Sequence, residues 1–383
     1  MTVCSFSPGF FGLGFVLPTS IGLAIFSPMS TGISWIDCIL GLIVLTFGAE
    51  WLVRGASRLA ISVGISALVV GLTVVAYGTS TPELVVSLTS SLEGKSDVAL
   101  GNVVGSNSFN VLFILGICAL LAPLKVDLKL VRWEAPLLIV LSGGVWLAAL
   151  DGSISRFEGL LLLAGLVSYS VMTVRASRRE TKAIQQEFEQ GLDDKKPHAL
   201  LADVALIAAG LALLVLGSKL FVGGSIEIAK ALGVSDLVIS LTLVAAGTSM
   251  PEVATSILAT IRGQRDIAVG NVIGSNIFNQ VGVLGAAASA SPIAVSPQAL
   301  RLDFPIMLAT AVACWPIFAS GRRIDRFEGG LLFAGYIAYT YVLIDISRAG
   351  PEAPWVRLAL PLGLVLPATL AWAVTRGRVP ATR

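Results

Sequence analysis

The chain has 383 residues, 55% of them hydrophobic and 13% charged, with a net charge of +2 at neutral pH. Together with a mean hydropathy of +0.86, this composition excludes a soluble multidomain enzyme and a basic nucleic-acid-binding protein. It specifies an all-α polytopic membrane protein whose surroundings are the lipid bilayer. His198, the only histidine, falls in a charged stretch, and Cys4, Cys38, Cys118 and Cys314 are scattered. Neither a histidine-built metal site nor a disulfide set is expected, and no nucleophile–base set or cofactor site is visible.

Residues 1–32 carry no charge and are rich in Gly, Pro and Ser. A cleaved signal peptide would begin with a basic region, which is missing here, and Met29 offers an alternative start. This stretch is read as an N-terminal extension. Apolar runs of about 20 residues, long enough to cross a bilayer as helix, predict helices at 34–53, 66–92, 97–121, 133–150 and 157–175. A polar linker follows at 176–199. Further helices are expected at 201–223, 235–261, 266–290, 300–319 and 327–346, with an eleventh at 354–375. The units are then a first five-helix repeat at 33–175, a second at 200–346, and an additional transmembrane helix at 353–375.

Let side A be the side of the loop after the first helix, and side B the other. Nineteen of the 26 Lys and Arg residues fall on side A, including the linker and the C-terminal tail, and seven on side B. Side A is therefore expected to be cytoplasmic.

The 33 residues from Gly78 to Asn110 recur 169 positions later as Gly247 to Asn279. GTSTPELVVSLTSSLEGKSDVALGNVVGSNSFN and GTSMPEVATSILATIRGQRDIAVGNVIGSNIFN agree at 17 positions without a gap. The matches are Gly, Thr, Ser, Pro, Glu and Asn set inside very apolar stretches, so they are not hydrophobic filler. The offset extends to Gly48/Gly217, Gly55/Gly224 and Gly64/Gly233, and RFEG at 156–159 returns at 326–329. A duplicated unit of five helices enters the membrane from opposite sides in its two copies, which is the inverted repeat of a secondary carrier.

Glu83 and Glu252 lie inside their helices, where a carboxylate costs at least about 2.5 kcal/mol on insertion scales. A structural ion pair would be the plain explanation, but neither motif helix holds a Lys or Arg before Lys95 or Arg262. An ion or proton pathway is the better reading. Pro82 and Pro251 each remove a helix hydrogen bond and free the carbonyls of Gly78 and Gly247 beside the hydroxyls of Thr79 and Thr248. Carbonyl, hydroxyl and carboxylate oxygens suit a hard cation. Thr79 and Glu83, Thr248 and Glu252, Ser106 and Asn110, and Ser275 and Asn279 are each spaced i,i+4, so each pair shares a helix face. Gly101/Gly105 and Gly270/Gly274 are small pairs that permit close helix approach. Asn102, Asn107, Asn271 and Asn276 are either interhelical glue or outer ligands.

GTSTPE with GNVVGSNSFN, and GTSMPE with GNVIGSNIFN, closely resemble the two alpha-repeats of the calcium/cation antiporter superfamily, in its prokaryotic sodium/calcium exchanger branch. The resemblance spans about 34–346. It implies Ca2+ and Na+ as transported ions, a prokaryotic inner (plasma) membrane, and Glu83 and Glu252 as central calcium ligands. It further implies that Thr79, Ser80, Ser106, Asn110, Thr248, Ser249, Ser275 and Asn279 share coordination with carbonyls near Ala76 and Ala245. Three sodium ions per calcium, and a gate formed by the first and sixth helices, are also implied. Some relatives carry Asp where Asn279 stands, which argues against potassium dependence here. A proton/cation antiporter on the same fold is the alternative, with a cation channel a more distant one.

Overall fold

The computed structural model describes residues 33–177, 200–233 and 245–349. In chain order they form α1 (Ser34–Val63), α2 (Ala67–Thr79), α3 (Thr81–Leu92), α4 (Ser96–Leu121), α5 (Leu130–Asp151) and α6 (Arg156–Ser177). The second set is α7 (Leu200–Ala231), the short α8 (Ala245–Gly247), α9 (Met250–Ile261), α10 (Arg265–Ala290), α11 (Ala299–Ala319) and α12 (Arg326–Ala349). Eight of these are long and apolar enough to cross a membrane, and α2 with α3 makes a ninth, bent span. The N-terminal extension, the linker, the first part of the helix expected at 235–261 and the eleventh helix lie outside the described residues.

Two helices are longer than the hydropathy suggested. α1 continues ten residues past the expected end because its charges are accommodated within the helix: Arg54 pairs with Glu50 one turn back. It stops at Gly64, whose φ of 66° lets the chain turn left-handed while its N–H caps the last turn. Arg54 and Arg58, expected in a loop, thus sit on the closing turns of α1. α7 likewise runs on to Ala231, and Gly233 follows with φ 77°.

α1 and α7 cross backbone to backbone. Gly41, Gly48 and Gly55 on one helix, and Gly210, Gly217 and Gly224 on the other, recur every seven residues. A Cβ added at Gly48 would stand 2.8 Å from the Leu214 nitrogen, at Gly210 2.6 Å from the Leu52 nitrogen, and at Gly217 2.7 Å from the Leu45 nitrogen. In lipid, where hydrocarbon offers no hydrophobic drive between helices, such small-residue contact supplies the association.

The other helices surround α4 and α10. All of the apolar window of α10 is buried and 78% of that of α4, against 11% for α6, so the two motif helices are central and α6 faces lipid. At the ends, β1 (Leu124–Lys125) pairs antiparallel with β4 (Arg323–Ile324), and β2 (Ser153–Ile154) with β3 (Ile293–Ala294). The first pair joins two side A loops and the second joins two side B loops. Exchanging each strand for its repeat counterpart turns one pairing into the other. That reciprocity is what two inverted units related by a two-fold axis produce.

A substitution on the α1–α7 seam should therefore be costly. Gly217→Ala is expected to destabilise the protein by about 1–3 kcal/mol, since the new methyl meets backbone. Gly144→Ala in α5, where an added Cβ meets nothing within 4 Å, should be neutral or stabilising. Thermal unfolding in detergent compares the two.

Candidate ion-binding site

The site begins where a helix fails. α2 gives way to α3 at Ser80, with a bend of 46°, because Pro82 has no N–H for the Gly78 carbonyl and fits only in the first turn of a new helix. Pro251 does the same in the first turn of α9, after Ser249. Each break places its glutamate in the first turn of a half-helix, whose positive end favours a negative charge. One expectation is corrected here. The freed Gly247 carbonyl is not left bare, because the Ser218 hydroxyl donates to it at 2.8 Å. The counterpart of Ser218 in the first repeat, Ala49, carries no hydroxyl.

Glu83 and Glu252 are completely buried and braced across the two-fold. Ser249 of the second repeat donates to Oε1 of Glu83 at 2.8 Å, and Ser80 of the first donates to Oε1 of Glu252 at 2.7 Å. The Ser106 and Ser249 hydroxyls lie 3.1 Å apart. The Ser275 hydroxyl is 3.4 Å from Oε1 of Glu252 and 3.5 Å from the Ala76 carbonyl. Ala245 heads the short α8, just ahead of Thr248 and Ser249.

The threonines are placed differently from the expectation of a continuous i,i+4 face. Thr79 donates to Oδ1 of Asn271, and Thr248 to Oδ1 of Asn102, both at 3.1 Å. The helix break between Thr79 and Glu83 interrupts the spiral that i,i+4 reasoning assumes. Asn102 and Asn271 also donate to Ser87 and Ser256, at 2.9 Å each, so this asparagine pair ties the broken helices to α4 and α10.

Asn107 and Asn276 act differently. Each donates its amide to the other's backbone carbonyl, at 3.3 and 3.1 Å. Their Oδ1 atoms accept the amides of Asn279 (3.2 Å) and Asn110 (3.0 Å). With its NH2 group held in this way, each of Asn110 and Asn279 presents its Oδ1 elsewhere.

Six buried side-chain oxygens in the motif then find no hydrogen-bond partner among the described residues: Oε2 of Glu83 and Glu252, Oδ1 of Asn110 and Asn279, and the hydroxyls of Ser108 and Thr255. The four carboxylate and amide oxygens are acceptors only and form two repeat-related pairs. A buried polar atom without a partner costs about 1–3 kcal/mol, more if charged. Four acceptor-only oxygens held unsatisfied where the repeats meet are suited to a cation. Among the described residues no three of His, Cys, Asp and Glu cluster as for a resident metal, so the site's charge is that of two carboxylates.

Asn110 and Asn279 each open a π-helical stretch, Asn110–Leu115 and Asn279–Val283. These wider turns, frequent at functional sites, were not foreseen. Nor were the buried Glu134 of α5 and the half-buried Asp303 of α11, which accept from Tyr169 (3.0 Å) and Tyr339 (3.3 Å). They are 169 positions apart, so the repeat offset, applied to every acid, would have found them.

Among the described residues, a motif helix packs against the broken helix on side A. On side A, Gly270 and Gly274 touch α2 as the small-pair reading requires: their added Cβ atoms would meet the Leu68 and Leu72 carbonyls at 2.9 and 2.5 Å. The segment that the repeat would set against Gly101 and Gly105 lies outside the described residues. A cavity of about 1350 Å³ is lined on side B by Glu93, Lys95 and Lys219. It reaches Asn102, Gly105, Ser106 and Thr248, and passes Asp303 and Tyr339. Thr79 is fully buried whereas Thr248 is only half-buried.

Residues 11–175 and 203–344 match the sodium/calcium exchanger protein family. The chain is 36% identical to inner membrane protein YrbG of Escherichia coli, over 81% of this chain and 96% of that protein. It is 32% identical to sodium/calcium exchanger MaX1 of Methanosarcina acetivorans, over 82% of this chain and 99% of that one. The solved sodium-calcium exchanger NCX_Mj superposes with a TM-score of 0.69 at 29% identity, covering 85% of this chain and 100% of its own. With the family match spanning both repeats, the chain belongs to the sodium/calcium exchanger protein family, in the prokaryotic branch of the calcium/cation antiporters.

Proposed function

We propose that this protein exchanges Na+ for Ca2+ by alternating access, with 33–175 and 200–346 as its inverted units. The observation that carries this reading is the set of four unpartnered acceptor oxygens, on Glu83, Glu252, Asn110 and Asn279, buried at the contact of the repeats. Calcium takes six to eight oxygens at ~2.3–2.6 Å. The four acceptors, the hydroxyls of Ser80, Ser106, Ser249, Ser275, Thr79 and Thr248, and the carbonyls of Ala76 and Ala245 supply them. The hydroxyls of Ser80, Ser249 and Ser275 now donate to the carboxylates. When a cation arrives each rotates its hydrogen outward and turns a lone pair inward, so one shell serves the empty and the loaded site. The names of MaX1 and NCX_Mj as sodium/calcium exchangers support sodium as the counter-ion. The excess of Lys and Arg on side A supports a plasma-membrane orientation with the linker and C-terminus in the cytoplasm.

A proton/cation antiporter is the second reading, since two buried carboxylates can carry protons as well as metal ions. Calcium uptake into proteoliposomes under imposed sodium, potassium or proton gradients, one at a time, separates the two. Uptake driven by sodium alone supports the proposal, and uptake driven only by protons overturns it.

Glu83→Gln or Glu252→Gln should abolish calcium uptake while leaving membrane expression intact, because a half-neutralised divalent ion in a low-dielectric site costs several kcal/mol. Asn276→Ala should raise the calcium concentration for half-maximal uptake about ten-fold, the lower end of what loss of an orienting partner costs. It frees the Asn110 amide without removing a ligand. Transport should also be voltage-sensitive. Calcium brings the site from −2 to neutrality, whereas three sodium ions leave +1, worth ~2.3 kcal/mol per 100 mV. An inside-positive potential set with potassium and valinomycin should then speed calcium entry coupled to sodium exit.

A further inference from the structure

The repeat offset pairs two charged positions that the ion site does not use. Glu50 on α1 corresponds to Lys219 on α7, and Arg262 at the end of α9 corresponds to Glu93 at the end of α3. The charges are reversed, yet each pair remains complementary.

The two pairs are in different states. On side A, Glu50 is 14% exposed and bonds Arg262 at 2.8 Å, so α1 is tied to the end of α9; Arg54 also donates to Glu50. On side B the equivalent pair is apart. Glu93 takes Lys95 at 2.7 Å, and Lys219 has no ion-pair partner among the described residues. Both Glu93 and Lys219 line the cavity that leads to Ser106 and Thr248. The closed ion pair thus stands on the side where α2 packs against α10, and the parted one stands at the mouth of the cavity.

We infer that Glu50–Arg262 and Lys219–Glu93 are alternating latches: the first holds side A closed while side B is open, and the second forms when side B closes. This rests on the alternating-access reading of the same fold. In two units related by a two-fold axis, the state open to side A gives α7 and α3 the relation that α1 and α9 have now. Lys219 is then carried to Glu93 and exchanges with Lys95 for its carboxylate. The latches are unequal. Arg54 reinforces the side A pair and its counterpart, Gly223, has no side chain. On side B, Lys95 competes for Glu93 where the counterpart on side A is the neutral Gln264. The resting balance therefore favours side B open. Partly exposed ion pairs are weak, so each latch biases the equilibrium without locking it.

The test uses the full chain in proteoliposomes, with Cys4, Cys38, Cys118 and Cys314 replaced by Ser. A disulfide needs Cα atoms within ~7 Å, so Glu93→Cys with Lys219→Cys should cross-link under oxidant only when side B closes. The cross-link should stop exchange, and reduction should restore it. Adding Glu50→Gln should quicken cross-linking about two- to five-fold, the range of one weak ion pair. With native cysteines retained, Glu93→Lys and Lys219→Glu should each slow exchange, and the charge-swapped double variant should recover it. No cross-link, no effect of Glu50→Gln, or purely additive losses in the double variant would overturn the latches while wild-type exchange continued. Absence of cation exchange by the wild type would instead overturn the transport reading.

Discussion

The arrangement depends on one constraint: two carboxylates must be kept in the middle of a membrane protein with no cationic side chain beside them. A Lys or Arg would satisfy Glu83 and Glu252 permanently and leave nothing for a substrate to do. Neutral donors solve half of the problem. Ser249 and Ser80 satisfy one oxygen of each carboxylate from across the two-fold, and the half-helix ends add a positive dipole. The other oxygen of each remains unsatisfied, and so do the two asparagine oxygens that Asn107 and Asn276 hold in place. That residual cost, fixed in geometry by packing, can be relieved by a cation. The surrounding α4 and α10 are the most buried of the spanning helices described.

The backbone break follows from the same constraint. In lipid, unsatisfied carbonyls and amides are tolerated only where protein or a water-filled cavity receives them. Pro82 and Pro251 free the carbonyls of Gly78 and Gly247, and Ser218 closes off the latter; the Ala76 carbonyl, which accepts the Ser80 N–H, also lies near the Ser275 and Thr79 hydroxyls.

Much of this was legible in the sequence because it rests on local rules. Proline after a Gly-Thr-Ser turn, glutamate in an apolar helix, and exact recurrence after 169 positions are each read without coordinates. The helix ends at Val63 and Ala231 were missed because hydropathy penalises Glu50, Arg54 and Lys230, whereas a helix tolerates charges that pair one turn apart or reach the interface. The role of Asn107 and Asn276 was left open because it depends on which neighbour lies across the two-fold, and spacing within one helix does not reveal that. The π-helical turns at Asn110 and Asn279 escaped for a related reason. They displace the register by one residue, and the i,i+4 pairing of Ser106 with Asn110 assumes a uniform α-helix.

Where the repeats differ is as informative as where they agree. The Glu, Ser, Thr and Asn residues of the motif recur without change, as the proposed alternation of one site between two solutions requires. Residues around the motif are free to diverge: Ser218 against Ala49, Tyr77 against Ala246, Gln280 against Val111, Glu50 against Lys219 and Arg262 against Glu93. Tyr77 stacks on Phe278 with ring centroids 4.5 Å apart, filling space on side A that Ala246 leaves open on side B. A strictly symmetric protein would rest equally in its two states. These unmatched pairs are the positions through which the sequence sets an unequal balance while the ion site itself remains symmetric.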